Sequence, residues 1–155
     1  MVSDRAAAVG AWESLFRAQV AIMRSLASDF PAHGISFNEY DVMFNLSREP
    51  DRRIRLRDLN EHVLLTQPSV SRLVDRLTSR GYVLKLTDPS DGRGAIIELT
   101  PEGYDVFRRV ALQHMDTITG RMGDALSNEE LAQLTGLCDR LRTAPSGAGL
   151  KPRHA

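Results

Sequence analysis

The chain has few of the residues that build covalent or metal-bound sites. Only one of its 155 residues, Cys138, is a cysteine, which excludes an intramolecular disulfide and a cysteine-based metal site. The four histidines show no metal-ligand spacing. Cys138 lies in helical register with Leu131, Leu134 and Leu141, so we predict buried packing for it rather than redox sensing.

Long apolar segments are also missing. No apolar run approaches the roughly 20 residues that a membrane-spanning helix needs. The segment from Met1 to Gly10 mixes charged and alanine residues and lacks the apolar stretch of a secretory signal. We therefore expect no membrane partner and a cytoplasmic location. A composition of 42% apolar and 26% charged residues suits one globular domain.

Net charge is absent as well, since 20 basic residues balance 20 acidic ones. A zero balance alone argues against a nucleic-acid partner, but the charges are unevenly placed. Residues 52–93 contain nine basic and five acidic residues, a local excess of +4, so the remainder carries −4. A basic middle between acidic flanks is typical of a DNA-reading lobe attached to a scaffold that does not contact DNA. An ordinary patchy surface would give the same pattern.

Aromatic residues make up only 6% of the chain, and leucine, alanine and arginine are common, which favours a mainly helical fold. Capping signals and hydrophobic periodicity predict six helices, at about 12–30, 36–46, 56–63, 66–80, 100–126 and 127–141. The strand-like segments YVLKLT and AIIELT flank the turn formers DPSDGRG and predict a hairpin. The small, polar segment 143–155 predicts a flexible tail.

The helix predicted at 66–80 has two distinct faces. Its apolar residues Val70, Leu73, Val74 and Leu77 recur at helical spacing and predict the core side. The other side combines short hydrogen-bonding groups with arginine, which is what base edges and phosphates require. A solvated helix face would have the same composition, so the helix alone does not decide between the two interpretations.

The predicted hairpin adds an arginine to that helix. Arg93 stands between Gly92 and Gly94 in an exposed turn, from which it could enter a DNA minor groove. Asp91 is close enough in sequence to hold the Arg93 guanidinium in a fixed direction. A plain hairpin is the alternative. A helix pair followed by such a hairpin predicts a mainly α fold with a winged helix-turn-helix, an α/β lobe that has a two-stranded wing.

The segment SVSRLVDRLTSRGYVLKLTDPSDGRGAIIELTPEG resembles the signature of the MarR (multiple antibiotic resistance regulator) family. The shared features are a helix ending in DRL…RGY, a wing with D-x-R, and LTPEG at the start of a long helix. The match spans about residues 56–103. Lys85 is a departure, since many members carry arginine there, and it puts a local ion pair in doubt.

The resemblance implies a homodimer that binds a palindromic DNA operator and regulates transcription. We expect it to repress transcription rather than activate it. It divides the single domain into a winged-helix lobe at about 36–100 and dimerisation helices at about 10–30 and 101–142. The DNA contacts that it implies are Arg55, Thr66, Gln67, Ser69, Ser71, Arg72, Arg76, Asp91 and Arg93.

MarR-like proteins commonly release DNA when a small aromatic or phenolic ligand binds between the dimer helices and the lobe. By that analogy a pocket would be lined by Trp12, Phe16, His33, Phe37, Tyr40 and Met43, although each of these residues could equally be core or surface. No cofactor is implied. Redox-sensing members carry a reactive cysteine in the first helix, and this chain has none there.

Two other classes of function stand as alternatives. A winged-helix protein-interaction module without DNA binding is the alternative, and the combination of Arg72, Arg76 and Arg93 argues against it. An enzyme is the third possibility. The sequence contains no nucleophile elbow, P-loop, GxGxxG, HExxH or paired-carboxylate arrangement, so we predict no catalytic residues.

Overall fold

The computed structural model describes residues 4–63 and 67–144. Helices dominate, and a small antiparallel sheet follows the helix pair. The elements, in chain order, are α1 (Arg5–Asp29), a 3₁₀ turn (Phe30–His33), α2 (Phe37–Arg48), a second 3₁₀ turn (Pro50–Arg52), β1 (Arg53–Arg55), α3 (Leu56–His62), α4 (Gln67–Ser79), β2 (Val83–Asp88), β3 (Asp91–Leu99), α5 (Pro101–Gly123) and α6 (Asn128–Thr143).

The helix ends follow the predicted capping signals. Ser36 and Glu39 form a capping box at the start of α2, because each side chain binds the other's backbone amide. Gly81 ends α4 with a positive φ of 75°, and the amides of Gly81 and Tyr82 bond back to the carbonyls of Thr78 and Leu77. That pair of bonds is a Schellman motif, which only a residue tolerant of the left-handed region allows.

The hydrophobic core of the winged-helix lobe lies beneath α4. Val70, Leu73, Val74 and Leu77 are all buried, as the helical spacing predicted. They pack with apolar residues from α2, α3 and the sheet, together with Val110 of α5. Because this stripe fixes one face of α4 against the lobe, its opposite face is directed to solvent.

The sheet has three strands in the order β1–β3–β2, one more than predicted. The additional strand, β1, is three residues long and pairs with β3 at its far edge. The observed turn between the two wing strands is shorter than the predicted loop DPSDGRG, because β2 extends to Asp88 and β3 already begins at Asp91. The wing turn is therefore Pro89–Ser90, and Arg93 lies within the start of β3 rather than at the tip.

The beginning of α5 packs tightly on the backbone that precedes β2. Thr100 caps the helix, since its hydroxyl accepts a hydrogen bond from the amide of Gly103 at 3.0 Å. The same hydroxyl donates to the carbonyl of Gly81 at 2.7 Å. A Cβ added at Gly103 would lie only 2.0 Å from the carbonyl oxygen of Tyr82. Glycine at this position is what allows α5 to start against the wing.

The chain divides within α5 into two compact units, Met1–Met115 and Asp116–Ala155. In the first unit, residues 4–19 are all exposed, including Trp12 and Phe16, whose rings stack on each other. In the second unit, Ser127 and Glu130 form the predicted capping box of α6. Cys138 is half-buried on that helix rather than buried.

Two kinds of feature are absent from the described ranges, 4–63 and 67–144. None of the helices there combines the length and apolar character that a membrane span requires. The same residues include no group of three or more His, Cys, Asp or Glu side chains placed to hold a metal ion.

Candidate nucleic-acid interface

The exposed face of α4 carries two arginines one turn apart. Arg72 and Arg76 are both exposed, while Ser69 and Ser71 are half-buried beside them. Arg76 keeps 62% of its side chain exposed although it is paired with a carboxylate. An exposed helix face with arginine and small hydroxyl groups has the chemistry for contact with base edges and phosphates.

Most basic side chains of residues 52–93 are engaged within the protein. Two of the nine, Arg72 and Arg93, have no ion pair, side-chain hydrogen bond or cation–π contact among the residues that the structure describes. The other seven are Arg52 over the Tyr104 ring, Arg53 with Glu98, Arg55 with Asp88, Arg57 with Asp58, Arg76 and Arg80 with Glu39, and Lys85 with Asp75. The two unpaired cations lie on the α4 face and on the wing, the places where DNA contact is predicted.

Glu39 joins the start of α2 to α4. Its buried carboxylate accepts the Ser36 amide at 2.8 Å and lies 3.5 Å from Arg76 Nε and 3.8 Å from Arg80 Nη1. Arg80 also donates to the Gly34 carbonyl at 2.7 Å. The sequence predicted only the capping role of Glu39. Its second role needs the three-dimensional crossing of α2 and α4, which no local pattern encodes.

The wing holds Arg93 by its backbone. The Arg93 amide donates to Asp91 Oδ1 at 3.1 Å, and the guanidinium is exposed. The prediction that Asp91 holds the guanidinium is wrong, because the carboxylate is used by the amide two residues on in an Asx-type turn. Asp91 therefore shapes the turn, while the Arg93 side chain is left available for a partner outside the chain.

Arg55 lies where β1 meets α3, and its guanidinium is directed to the wing. Its Nε is 2.9 Å from Asp88 Oδ2, and its Nη2 donates to Ser90 Oγ at 2.9 Å. Hydrogen bonds from the Ser90 hydroxyl and amide, together with the nearby Arg55 charge, hold the pKa of the Asp88 carboxyl below its usual range. A predicted phosphate contact is thus engaged inside the protein.

Comparison with known proteins agrees with this geometry. A sequence model of the MarR family matches residues 33–94, from the end of the first 3₁₀ turn to the wing. Sco3205, a MarR family transcriptional regulator from Streptomyces coelicolor, was crystallised in complex with DNA. It matches with a TM-score of 0.79 and 28% identity over 97% of both chains. Residues 33–94 of this chain thus resemble the MarR family in sequence, and its fold resembles that of Sco3205.

Two further proteins define how far this likeness extends. PapX of Escherichia coli, an HTH-type transcriptional regulator, is 28% identical over 96 residues, which span 62% of this chain and 58% of PapX. NadR, crystallised in complex with 4-hydroxyphenylacetate, shares the fold at a TM-score of 0.67 and 20% identity, over 85% of this chain and 92% of NadR. Both PapX and Sco3205 are transcriptional regulators.

One of the DNA contacts implied by the MarR signature is not placed by the structure. Thr66 lies outside the described residues. Gln67 is the first residue of α4. Lys85, where many MarR proteins carry arginine, still forms an ion pair, since its Nζ lies 3.5 Å from Asp75 Oδ1 on α4. This departure from the signature therefore preserves a link between wing and helix.

The six residues predicted for a MarR ligand pocket lie in three different settings. Trp12 and Phe16 are exposed on α1, and Met43 is fully buried in the core. Phe37 and Tyr40 contact an aromatic cluster centred on Phe30 and His114, in which His33 packs against the Phe30 ring. Burial, together with the nearby His33, holds the pKa of His114 below its ordinary range.

A cavity of about 430 Å³ opens beside that cluster, between the end of α1 and the start of α2. Of the six predicted residues only Phe37 lines it. The remaining wall is mostly apolar, with one cation, and consists of Met23, Arg24, Ala27, Phe30, Pro31, Ser36 and Asn38. A concave, largely apolar site with a single charge suits a small ring compound that carries an acidic group.

Proposed function

We propose that this chain is a homodimeric transcriptional repressor that binds a palindromic DNA operator. In this proposal α4 lies in the major groove and the wing carries Arg93 into the adjacent minor groove. The main observation in support of this proposal is the distribution of paired and unpaired basic side chains. Arg72 and Arg93 lack an intramolecular partner among the described residues, whereas seven other cations of the same stretch have one.

The DNA complex of Sco3205 supports the choice of partner. That protein is 28% identical to this chain over 97% of both, and it was crystallised with DNA. Positive charge also concentrates where α4 and the wing lie, although the whole chain carries no net charge. A protein-interaction module would have no need for unpaired arginines on both of these elements.

Exposed apolar side chains support the homodimer. On α1, Trp12 is 63% exposed and Phe16 is 54% exposed, and on α6 Leu141 is 66% exposed. Large apolar residues grouped on helix faces of one protomer are typical of surfaces that a partner covers. A second copy is the natural partner, because a two-fold dimer matches the symmetry of a palindromic operator.

We further propose that a small aromatic or phenolic acid releases the repressor from DNA. NadR, which shares the fold, was crystallised with 4-hydroxyphenylacetate. The cavity beside Phe37 and Arg24 adjoins the start of α2, where Ser36 and Glu39 contact each other and Glu39 contacts α4. A ligand that binds more tightly to a conformation with α2 displaced would shift the population toward that conformation. In it, the α4 helix of each protomer would no longer be placed to enter the major groove.

Selection from fragments of the source genome tests the proposed function. We expect the full chain to retain discrete fragments that share a two-fold symmetric motif, and the double variant Arg72→Ala/Arg93→Ala to retain none of them. Wild-type protein that enriches no fragment would favour the protein-interaction module. Equal retention by wild type and double variant would contradict the assigned interface.

Binding to the selected fragment should weaken steeply with salt. The slope of log K against log salt concentration is expected to be about −0.9 for each phosphate contacted, because each contact releases condensed counterions. Fluorescence anisotropy at several salt concentrations measures this slope. A flat response would argue against an interface built from arginines.

A further inference from the structure

The base of the wing contains a closed network of three side chains. Asp88 is only 4% exposed, and three donor groups contact its two carboxylate oxygens. Its Oδ1 accepts the Ser90 amide at 2.9 Å and the Ser90 hydroxyl at 2.7 Å, and its Oδ2 lies 2.9 Å from Arg55 Nε. Arg55 Nη2 closes the ring by donating to Ser90 Oγ at 2.9 Å.

This network joins the turn of the wing to the opposite edge of the sheet. Ser90 is in the turn between β2 and β3, Asp88 ends β2, and Arg55 ends β1, which lies on the far side of β3. The pairing register is irregular between Thr87 and Asp88. The ladder hydrogen bonds alone therefore do not fix the turn, and a side-chain link across three strands restricts its motion.

The strand carrying Arg93 packs closely over Asp88. A Cβ added at Gly94 would lie 3.3 Å from Asp88 Cβ and 3.3 Å from the Asp91 carbonyl oxygen, which is tighter than most real contacts of this type. Because of this close contact, a displacement of Asp88 would also displace Gly94, the residue after Arg93. On the other side of Arg93, the amide is held by Asp91 at 3.1 Å.

We propose that Arg55, Asp88 and Ser90 form a positioning network that fixes the wing so that Arg93 is presented to the minor groove. Arg55 then acts through Arg93 and is not itself a phosphate contact. The inference rests on the proposed function, since it assigns residues to the same DNA-binding site. Its physical basis is preorganisation, because a turn that is already ordered loses less conformational freedom on binding.

The charge state of the network suits this role. The pKa of Asp88 is lowered by the Ser90 hydrogen bonds and the Arg55 charge. A carboxyl with a lowered folded-state pKa keeps its stabilising contacts above its ordinary range and loses them only as the pH falls below that range. The network therefore persists at neutral pH.

A double-mutant cycle between the network and Arg93 tests the proposal. Asp88→Asn and Arg55→Met should each weaken binding to the selected operator roughly 3- to 10-fold when Arg93 is present. In an Arg93→Ala background the same changes should have less than about a twofold effect, because the network then has nothing to position. Losses of equal size in both backgrounds would overturn the proposal, as would unchanged affinity with Arg93 present.

Arg53→Met is the matched control for Arg55. Arg53 lies on the same strand and also forms an ion pair across the sheet, with Glu98 at 2.6 Å, but it does not contact the wing turn. We expect it to change DNA affinity less than about twofold. An Arg53→Met loss as large as that of Arg55→Met would mean that any cation of β1 contributes, and would overturn the assigned role.

Amide exchange in the free protein gives a readout that does not depend on DNA. In Asp88→Asn the Arg93 amide should exchange about tenfold faster than in wild type, while amides buried in α4 keep their rates. Equal exchange at Arg93 would overturn the network even where DNA binding is intact. If the wild type binds no DNA, the proposed function fails, and the exchange rate alone then decides whether the network orders the wing.

Discussion

Replacing Arg93 by alanine is expected to weaken binding of the proposed dimer to the selected operator fragment roughly 5- to 150-fold, which equals about 1–3 kcal/mol. The guanidinium has no partner within the described residues, so its removal leaves no unpaired group behind in the free protein. The substitution therefore weakens the protein–DNA complex rather than the free protein, because the narrow minor groove concentrates the negative potential that attracts the guanidinium. Fluorescence anisotropy with the selected operator fragment measures the change.

Arg57→Ala is the control for that experiment. Arg57 belongs to the same basic stretch, but its Nε lies 3.3 Å from the neighbouring Asp58 on α3. We expect Arg57→Ala to alter affinity less than about threefold, and sedimentation to show an unchanged oligomeric state for both variants. An Arg93→Ala protein that binds DNA as tightly as wild type would contradict the position assigned to the wing.

Replacing Gly103 by alanine is expected to destabilise the fold by about 3 kcal/mol, at the upper end of the overpacking range. The new Cβ would meet the Tyr82 carbonyl oxygen at 2.0 Å and Leu99 Cδ1 at 2.9 Å. The first of these atoms belongs to the backbone, so α5 or the start of β2 must move. The higher helix propensity of alanine, about 1 kcal/mol, offsets only part of this cost.

The Gly103→Ala change should lower Tm by roughly 6–12 °C. Thermal unfolding followed by circular dichroism measures the shift. Gly120→Ala in the same helix is the matched control, since an added Cβ there would meet no atom within 4 Å. We expect its Tm to equal or slightly exceed that of wild type. Equal Tm values for Gly103→Ala and wild type would contradict the packing described for the start of α5.

The elements that sequence reasoning predicted well are those with local signals. The apolar stripe of α4, the glycine that ends it and the two capping boxes each depend on residues within about one turn of one another. Local chemistry decides such features, so they need no knowledge of the tertiary fold. The three-residue strand β1 carries too few residues for a period to be read, and it forms only because β3 lies beside it.

Long-range contacts decided the roles that the sequence could not reveal. Arg55 is 33 positions from Asp88, and Glu39 is 37 positions from Arg76, so neither ion pair leaves a pattern along the chain. The expected Asp91–Arg93 ion pair is wrong for a local reason, because the backbone amide competes for the same carboxylate. Sequence spacing indicated which residues were near the wing, but the direction of each donor required the structure.

The ligand pocket shows a different limit. Four of the six predicted residues are aromatic, and aromatic residues suit both a core and a ligand site. The structure assigns Tyr40 to the core cluster around Phe30, while Phe37 also borders the cavity. Arg24 and Ser36, which line that cavity, carried no signal because their neighbours in the wall come from different helices.

Methylation protection on the selected operator tests the central claim most directly, because dimethyl sulfate reports guanine N7 in the major groove and adenine N3 in the minor groove. We predict protected guanines in two half-sites about one helical turn apart, or a multiple of that distance, with protected adenines in the flanking minor grooves. Arg93→Ala should keep the guanine protection and lose the adenine protection. Binding without protection in either groove, or adenine protection that survives the loss of Arg93, would contradict the account.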